Sequence, residues 1–159
     1  MTDRRTDIIA ELETSLENSI TFFRSLSPDE LKIQVYQDGA TWTIKQILAH
    51  FVTIERSMHW VFKDILAGGS GSPRDFDVDR FNRSQVEKLD RLTVEELIVQ
   101  FKQVRGDTIA IVREMSENDL DREGWHAFHG QDRLERFICW AYEHARIHEN
   151  DIRKALPIK

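Results

Sequence analysis

Cysteine is almost absent from this sequence, and long uninterrupted apolar runs are missing. The one cysteine, Cys139, cannot form a disulfide within the chain, which excludes a disulfide framework. No apolar stretch of the signal-peptide type follows residues 1–5. Charged residues make up 31% of the chain, which is too many for an integral membrane protein. We therefore expect a soluble, cytoplasmic protein that does not enter a membrane.

Positive charge, glycine and proline are also scarce. The 22 Lys and Arg residues are outnumbered by 28 Asp and Glu residues, which gives a net charge of −6. A general phosphate-binding surface needs clustered positive charge, so we expect no nucleic acid partner. With 7 Gly, 3 Pro and 40% hydrophobic residues, the chain is too apolar to be disordered. Its length suggests a single domain over residues 1–159, since domains commonly contain about 100–150 residues.

Apolar residues recur at every third or fourth position in four long stretches, which is the period of an amphipathic helix. None of the four shows the sustained alternation of a strand, so the sequence predicts an all-α fold. Thr43 and Thr93 each begin a capping box, and Asp132 is the predicted cap of the last helix. The Gly- and Ser-rich residues 68–73 predict a long crossover between the second and third helices. The prediction is a four-helix bundle whose long helices span approximately residues 7–25, 43–68, 93 onward and 132–156.

Six histidines are present, and two of them, His144 and His148, lie one turn apart on the fourth helix. Counting by threes and fours along that helix places both in its core-facing stripe. His50 lies between Ile47 and Ile54 at the same spacing, so it also points inward. Three inward histidines are unusual in a bundle core, because apolar side chains would fill the same space without needing hydrogen-bond partners.

These inward histidines have two interpretations. Three neutral imidazoles can bind one divalent ion and leave a position open for water or substrate, which is the pattern of a catalytic site. Alternatively, each histidine is hydrogen-bonded separately in the core or at its rim. His59 lies about half a turn around the second helix from His50, so we expect it at the surface or at an interface. His126 and His129 precede the last helix, where they either line the site or simply pack.

Familiar hydrolase motifs do not fit this sequence. A zincin helix carries His-Glu-x-x-His, whereas no carboxylate lies between His144 and His148. Residues 68–71 lack the lysine of a phosphate-binding loop. Cys139 is expected to be packed, and Glu55 to be solvated or to orient an imidazole.

Two segments resemble one known family. Residues 42–50, Trp-Thr-Ile-Lys-Gln-Ile-Leu-Ala-His, look like the start of the second helix in the DinB-like (DinB/YfiT) superfamily. Residues 142–148, Tyr-Glu-His-Ala-Arg-Ile-His, look like its C-terminal His-x3-His helix. The chain is also similar to that family in length, helix count and crossover position. The resemblance implies a DinB-like bundle in which His50, His144 and His148 bind a divalent metal ion, with zinc or nickel the usual occupant.

The same resemblance implies a broad class of reaction. The better-understood members are thiol-dependent transferases and isomerases, in which a metal activates a low-molecular-weight thiol such as mycothiol or bacillithiol. Members often form homodimers. We therefore expect a thiol-dependent S-transferase or isomerase that acts on a small-molecule substrate. Two alternatives stay open: a metal-assisted hydrolase, or a non-catalytic bundle that binds a metal or ligand in a stress response.

Overall fold

The structure is a computed structural model that describes residues 3–158. Met1, Thr2 and Lys159, which end the domain expected from the sequence, lie outside the described residues. Helices make up most of the described chain, and a short antiparallel hairpin precedes the last helix. In chain order the elements are α1 (Arg4–Arg24), a 3₁₀ helix (Glu30–Lys32), α2 (Ile44–Leu66), α3 (Val78–Lys88), α4 (Val94–Glu114), a 3₁₀ helix (Glu117–Asp121), β1 (Glu123–His126), β2 (Gly130–Arg133) and α5 (Leu134–Ala155).

The N-caps of α2 and α4 confirm the predicted starts of these helices. At α2 the Thr43 hydroxyl accepts the Gln46 N–H, and the Gln46 amide oxygen accepts the Thr43 N–H at 2.9 Å. At α4 the Thr93 hydroxyl accepts the N–H of Glu96 at 3.1 Å. These side-chain oxygens satisfy backbone donors that the first turn of a helix leaves without partners.

The starts of α1 and α5 differ from the predictions. Helix α1 begins at Arg4 because the Asp3 carboxylate accepts the Arg5 N–H at 2.8 Å. Asp132 lies in β2 and accepts the N–H of its neighbour Arg133 at 2.7 Å. Arg133 is the N-cap residue of α5, so the predicted cap at Asp132 is one residue too early.

The four long helices form the bundle. Helices α1 and α2 each pack against both α4 and α5, so α1 and α2 occupy opposite corners. The core contains Leu12, Phe62, Phe101 and Phe137, one from each long helix, and each is at most 1% exposed. The predicted all-α four-helix bundle is therefore confirmed. Within the described residues, no helix combines the length and hydrophobicity needed to cross a membrane.

The crossover between α2 and α4 contains a helix of its own. Helix α3 packs against α2 and begins where the Asp77 carboxylate accepts the N–H of Arg80 at 3.1 Å. Val86 of α3 is 1% exposed and joins the core. The long connection predicted from residues 68–73 is thus confirmed, with its second half helical.

A β-hairpin that the sequence does not predict lies before α5. Strands β1 and β2 pair antiparallel over four residues each. The backbone of Trp125 in β1 also bonds the crossover, since it donates to the Ser70 carbonyl at 2.7 Å and accepts the Ser72 N–H at 2.8 Å. The hairpin therefore holds His126 beside the crossover and α2.

Candidate metal centre

Three histidine side chains converge between α2 and α5. His50 lies on α2, and His144 and His148 lie one turn apart on α5. His144 Nε2 is 3.1 Å from His50 Nε2 and 3.0 Å from His148 Nε2. One ring nitrogen of each histidine lies within 4.8 Å of those of both others. The packing of α2 on α5 therefore brings together the three histidines that helical phase places inward.

Burial keeps these imidazoles neutral. His50 is 3% exposed, and the loss of solvation lowers its pKa to about 3. Burial also lowers the pKa of His144 and of His148, and at His144 the neighbouring histidines lower it further. A neutral imidazole has a lone pair on one ring nitrogen, and this is the form that binds a metal ion.

Hydrogen bonds alone do not satisfy the three facing nitrogens. A ring nitrogen has either one proton or one lone pair in the ring plane. His144 Nε2 faces two other Nε2 atoms, so it cannot form a well-aligned hydrogen bond with each of them. A divalent ion would accept a lone pair from all three. Two nitrogens that are each about 2.0–2.1 Å from one ion lie roughly 3 Å apart, so the two separations that involve His144 fit a shared ion.

Tyr36 and Asp151 determine the orientation of His148. The Tyr36 hydroxyl donates to Asp151 Oδ2 at 2.7 Å and lies 2.6 Å from His148 Nδ1. Burial and the Asp151 carboxylate raise the pKa of Tyr36, so the hydroxyl keeps its proton. Because that proton goes to Asp151, the second contact is a hydrogen bond in which His148 Nδ1–H donates to the tyrosine oxygen. The lone pair of His148 is therefore on Nε2, which faces the other two histidines.

Aromatic rings surround the cluster. The ring centroids of Trp42 and His50 are 4.5 Å apart, and the ring of Phe51 lies within 6.0 Å of those of His144 and His148. His50 Nδ1 is buried and has no hydrogen-bond partner in the part of the chain that the structure describes. A buried polar atom without a partner costs about 1–3 kcal/mol. Packing against Trp42, rather than hydrogen bonding at Nδ1, therefore holds the His50 ring in position.

A buried ion pair, which the sequence patterns did not predict, lies beside the cluster. Arg105 is fully buried and donates to both carboxylate oxygens of Glu55 at 2.8–3.1 Å. Its guanidinium also donates to the carbonyl oxygens of Leu12 at 2.9 Å and Ala141 at 3.2 Å. The Thr108 hydroxyl donates to the same carboxylate at 2.7 Å. The expectation that Glu55 is solvated or orients an imidazole is therefore wrong.

The other histidines lie outside the cluster. His59, expected at the surface or at an interface, is half-buried, and its Nε2 is 2.7 Å from the Thr108 hydroxyl. His126 is 6% exposed, and its Nδ1 accepts the backbone N–H groups of Phe128 and His129 at 3.0 and 3.2 Å. The ring centroids of His126 and His129 are 4.9 Å apart. His126 and His129 therefore pack against each other, and His126 also lines a cavity beside α2.

Comparison with known proteins places the chain in a family. The family model of the DinB superfamily matches residues 11–152, a range that includes all three clustered histidines. No curated protein matches the chain.

Three solved structures share the fold at low sequence identity. YfiT from Bacillus subtilis, a probable metal-dependent hydrolase with an unusual four-helix bundle topology, is 15% identical, with a TM-score of 0.78 over 98% of this chain and 87% of its own. An uncharacterised protein from Clostridium difficile 630 is 16% identical, with a TM-score of 0.70 over 97% of this chain and 96% of its own. The colibactin self-resistance protein ClbS, solved in complex with double-stranded DNA, is 12% identical, with a TM-score of 0.69 over 96% of this chain and 97% of its own. At these identities the likeness establishes the fold.

Proposed function

The chain belongs to the DinB superfamily, and from the histidine cluster inside its bundle we propose that it is a divalent-metal-dependent enzyme. His50, His144 and His148 are the proposed ligands, and zinc or nickel is the proposed ion. The observation that carries the proposal is the convergence of three neutral Nε2 atoms at separations of 3.0 and 3.1 Å. Three imidazole ligands leave a coordination position open, which distinguishes a catalytic site from a closed structural one.

The proposed activity is that of a thiol-dependent S-transferase or isomerase, with a low-molecular-weight thiol as cosubstrate. A divalent ion supplies Lewis-acid chemistry when bound, because it lowers the pKa of a coordinated thiol or water. A free thiol has a pKa of about 8.5 against about 15.7 for water, so it needs less help from a protein base. Two nearby carboxylates are engaged, Asp151 with Tyr36 and Glu55 with Arg105. This favours a reaction that requires no general base from the chain.

The chain's own residues would hold and orient the reacting groups. Tyr36 and Asp151 keep the lone pair of His148 on Nε2. The rings of Trp42 and Phe51 surround the cluster with apolar groups, which strengthens electrostatic interactions because the local dielectric is low.

A metal-assisted hydrolase is the second candidate. It is supported by the shared fold with YfiT, a probable metal-dependent hydrolase. The same three-nitrogen site suits either reaction, because the nucleophile differs while the ligands do not. The two candidates differ in whether turnover needs an added thiol.

A small molecule is the proposed substrate. The net charge of −6 disfavours contact with phosphates, although ClbS was solved with double-stranded DNA. A fluorescent DNA duplex titrated with the protein at low salt should therefore show no change in anisotropy, and saturable binding would contradict this expectation.

A homodimer of the 18.7 kDa chain is also proposed, and sedimentation equilibrium tests it.

The activity is tested with a panel of thiols, including mycothiol and bacillithiol, and chlorodinitrobenzene as the electrophile. Metal-loaded protein should form the thioether, while chelator-treated protein and His148→Ala should not. His59→Ala is the matched control, because His59 is on the same helix as His50 but bonds Thr108 instead of the cluster. Conjugation by completely metal-free protein would refute the mechanism. Hydrolysis of nitrophenyl esters without thiol would select the hydrolase instead.

A further inference from the structure

A cavity of about 290 Å³ lies between α2, crossover residues 72–81 and the hairpin. This volume is near the lower end of the roughly 300–1,000 Å³ typical of small-molecule sites. Aliphatic and aromatic side chains such as Met58, Val61 and Phe81 form most of its wall. Among residues 3–158, no charged side chain lines the cavity, and the side chains with polar atoms are Ser57, Trp60, Ser72 and His126. An ionised group would therefore lose its solvation there without gaining a partner of opposite charge.

His126 lines this cavity and has one fixed hydrogen-bond donor. Its Nδ1 accepts two backbone N–H groups, from Phe128 and His129, so Nδ1 carries the lone pair. Burial lowers the pKa of His126 to about 4, which keeps the ring neutral and leaves its proton on Nε2. Nε2 has no hydrogen-bond partner among the described residues, although His126 is 94% buried, with 6% of its surface exposed. The Ser57 hydroxyl, by contrast, already donates to the Ile54 carbonyl at 2.7 Å.

We propose that this cavity binds a small, uncharged aromatic carbonyl compound, whose carbonyl oxygen accepts a hydrogen bond from His126 Nε2 while its ring contacts Met58, Val61 and Phe81. The apolar wall suits the ring, and the His126 donor suits one acceptor atom. Because no described residue accepts the Nε2–H of His126, this group is available to donate a hydrogen bond to such a ligand.

The cavity adjoins the histidine cluster. Ile54 and Met58 line both this cavity and a narrow cleft whose wall includes His144. A compound bound in the cavity would therefore lie one side-chain layer from the cluster, as expected for the electrophilic substrate. That assignment as substrate rests on the proposed function, whereas binding itself does not.

Binding is tested by calorimetric titration with acetylnaphthalene, using both metal-loaded and chelator-treated protein. One molecule per chain should bind in both preparations. Ethylnaphthalene, which has no acceptor, should bind about tenfold more weakly, the effect of one lost hydrogen bond. The anion naphthoate should not bind.

Three variants test where the ligand binds. Ala127→Trp places a large ring in the cavity and should abolish binding, while Val99→Trp adds the same ring at an exposed position outside it and should not. His126→Asn keeps an acceptor for the hairpin N–H groups but removes the Nε2 donor. It should weaken acetylnaphthalene about tenfold and leave ethylnaphthalene unchanged.

Some results would overturn the proposal. Equal binding by wild type and Ala127→Trp would place the ligand elsewhere. A wild-type dimer that binds no probe and that Ala127→Trp dissociates would make the cavity an interface between copies, since Trp60 and Phe76 at its wall are 57% and 41% exposed. Probe binding is measured with and without metal, so it does not depend on the proposed activity. A protein that binds the probe but forms no thioether would refute the proposed function and leave the proposed binding site intact.

Discussion

Tyr36 Oη lies 2.6 Å from His148 Nδ1, although 112 positions separate the two residues in the chain. Tyr36 belongs to the connection before α2, so this segment, as well as α2 and α5, contributes to the site. The hydroxyl donates a hydrogen bond to Asp151 and accepts one from His148 Nδ1–H, which leaves His148 Nε2 free to bind an ion. Removing a residue that hydrogen-bonds a metal-binding histidine typically lowers metal affinity by roughly 10- to 100-fold.

Tyr36→Phe should therefore weaken binding of zinc or nickel by about 10- to 100-fold. The ring still packs against His148, with centroids 5.7 Å apart in the wild type, so the fold should be retained. Competition with a chromophoric chelator measures the affinity, and circular dichroism checks the fold. An unchanged dissociation constant would mean that the hydroxyl does not position His148.

Asp151 gives a matched pair of variants for the same contact. Asp151→Asn retains an oxygen that accepts the Tyr36 hydroxyl, so metal affinity should stay close to that of the wild type. Asp151→Leu removes the acceptor, and Tyr36 can then donate its proton to His148 Nδ1. That change would place the His148 proton on Nε2, and affinity should fall as it does in Tyr36→Phe. Equal affinities for the two Asp151 variants would contradict this account.

Metal content tests the ligand set directly. Purified protein should contain about one divalent ion per chain, and His148→Ala should lower that occupancy strongly because it removes one of three ligands. His59→Ala should keep full occupancy. Elemental analysis after dialysis against metal-free buffer provides the measurement. Full occupancy of His148→Ala would remove this residue from the ligand set.

The Arg105–Glu55 pair makes a prediction about stability. Arg105→Met leaves the Glu55 carboxylate buried without its partner, so the free energy of unfolding should fall by about 3–5 kcal/mol. The double variant with Glu55→Leu removes both charges and should recover most of that loss. Urea unfolding measures both. A double variant as unstable as the single one would show that the pair contributes more than compensation of its own charges.

Two glycines should respond to alanine in opposite directions. Gly71 has φ of 91°, and a Cβ there would collide with the Trp125 backbone, so Gly71→Ala should lower the free energy of unfolding by about 1–3 kcal/mol. Gly106 is inside α4 with open space around it, so Gly106→Ala should raise the free energy of unfolding by about 1 kcal/mol. Urea midpoints test both. A Gly71→Ala midpoint at or above the wild-type value would contradict the close contact between crossover and hairpin.

Local chemistry explains which parts of the fold can be predicted from sequence. Thr43 and Thr93 mark helix starts because their hydroxyls bond N–H groups a few residues away. The hairpin has no such signal, because each strand has four residues and the Trp125 backbone bonds Ser70 and Ser72 in the distant crossover. Pairing between remote segments leaves little trace in either one alone.

Some residues of the site can also be predicted from the sequence, and others cannot. Helical phase is enough to place His50, His144 and His148 inward, because α2 and α5 each bury one face. It cannot give their mutual distances, which depend on how the two helices pack. The sequence does not predict Tyr36 as a site residue, because it lies in a connection and bonds Asp151, 115 positions away.

Arg105 did leave a signal in the sequence. Phe101, Arg105, Thr108 and Val112 follow the spacing of a core stripe, and all four are buried. A charged residue at such a position needs a buried partner of opposite charge. The sequence alone did not identify Glu55 as that partner, because it lies on a different helix.

The hydrogen bonds of Arg105 also limit how far the helices can slide along one another. From α4, its guanidinium bonds the Glu55 carboxylate on α2 and the Ala141 carbonyl on α5. Glu55 follows His50 by less than two helical turns, and Ala141 precedes His144 by less than one. A slip of one turn, about 5.4 Å, would break these bonds and separate the two imidazoles. The 3.1 Å approach of His50 to His144 thus depends on lengthwise registry set by a residue outside the cluster.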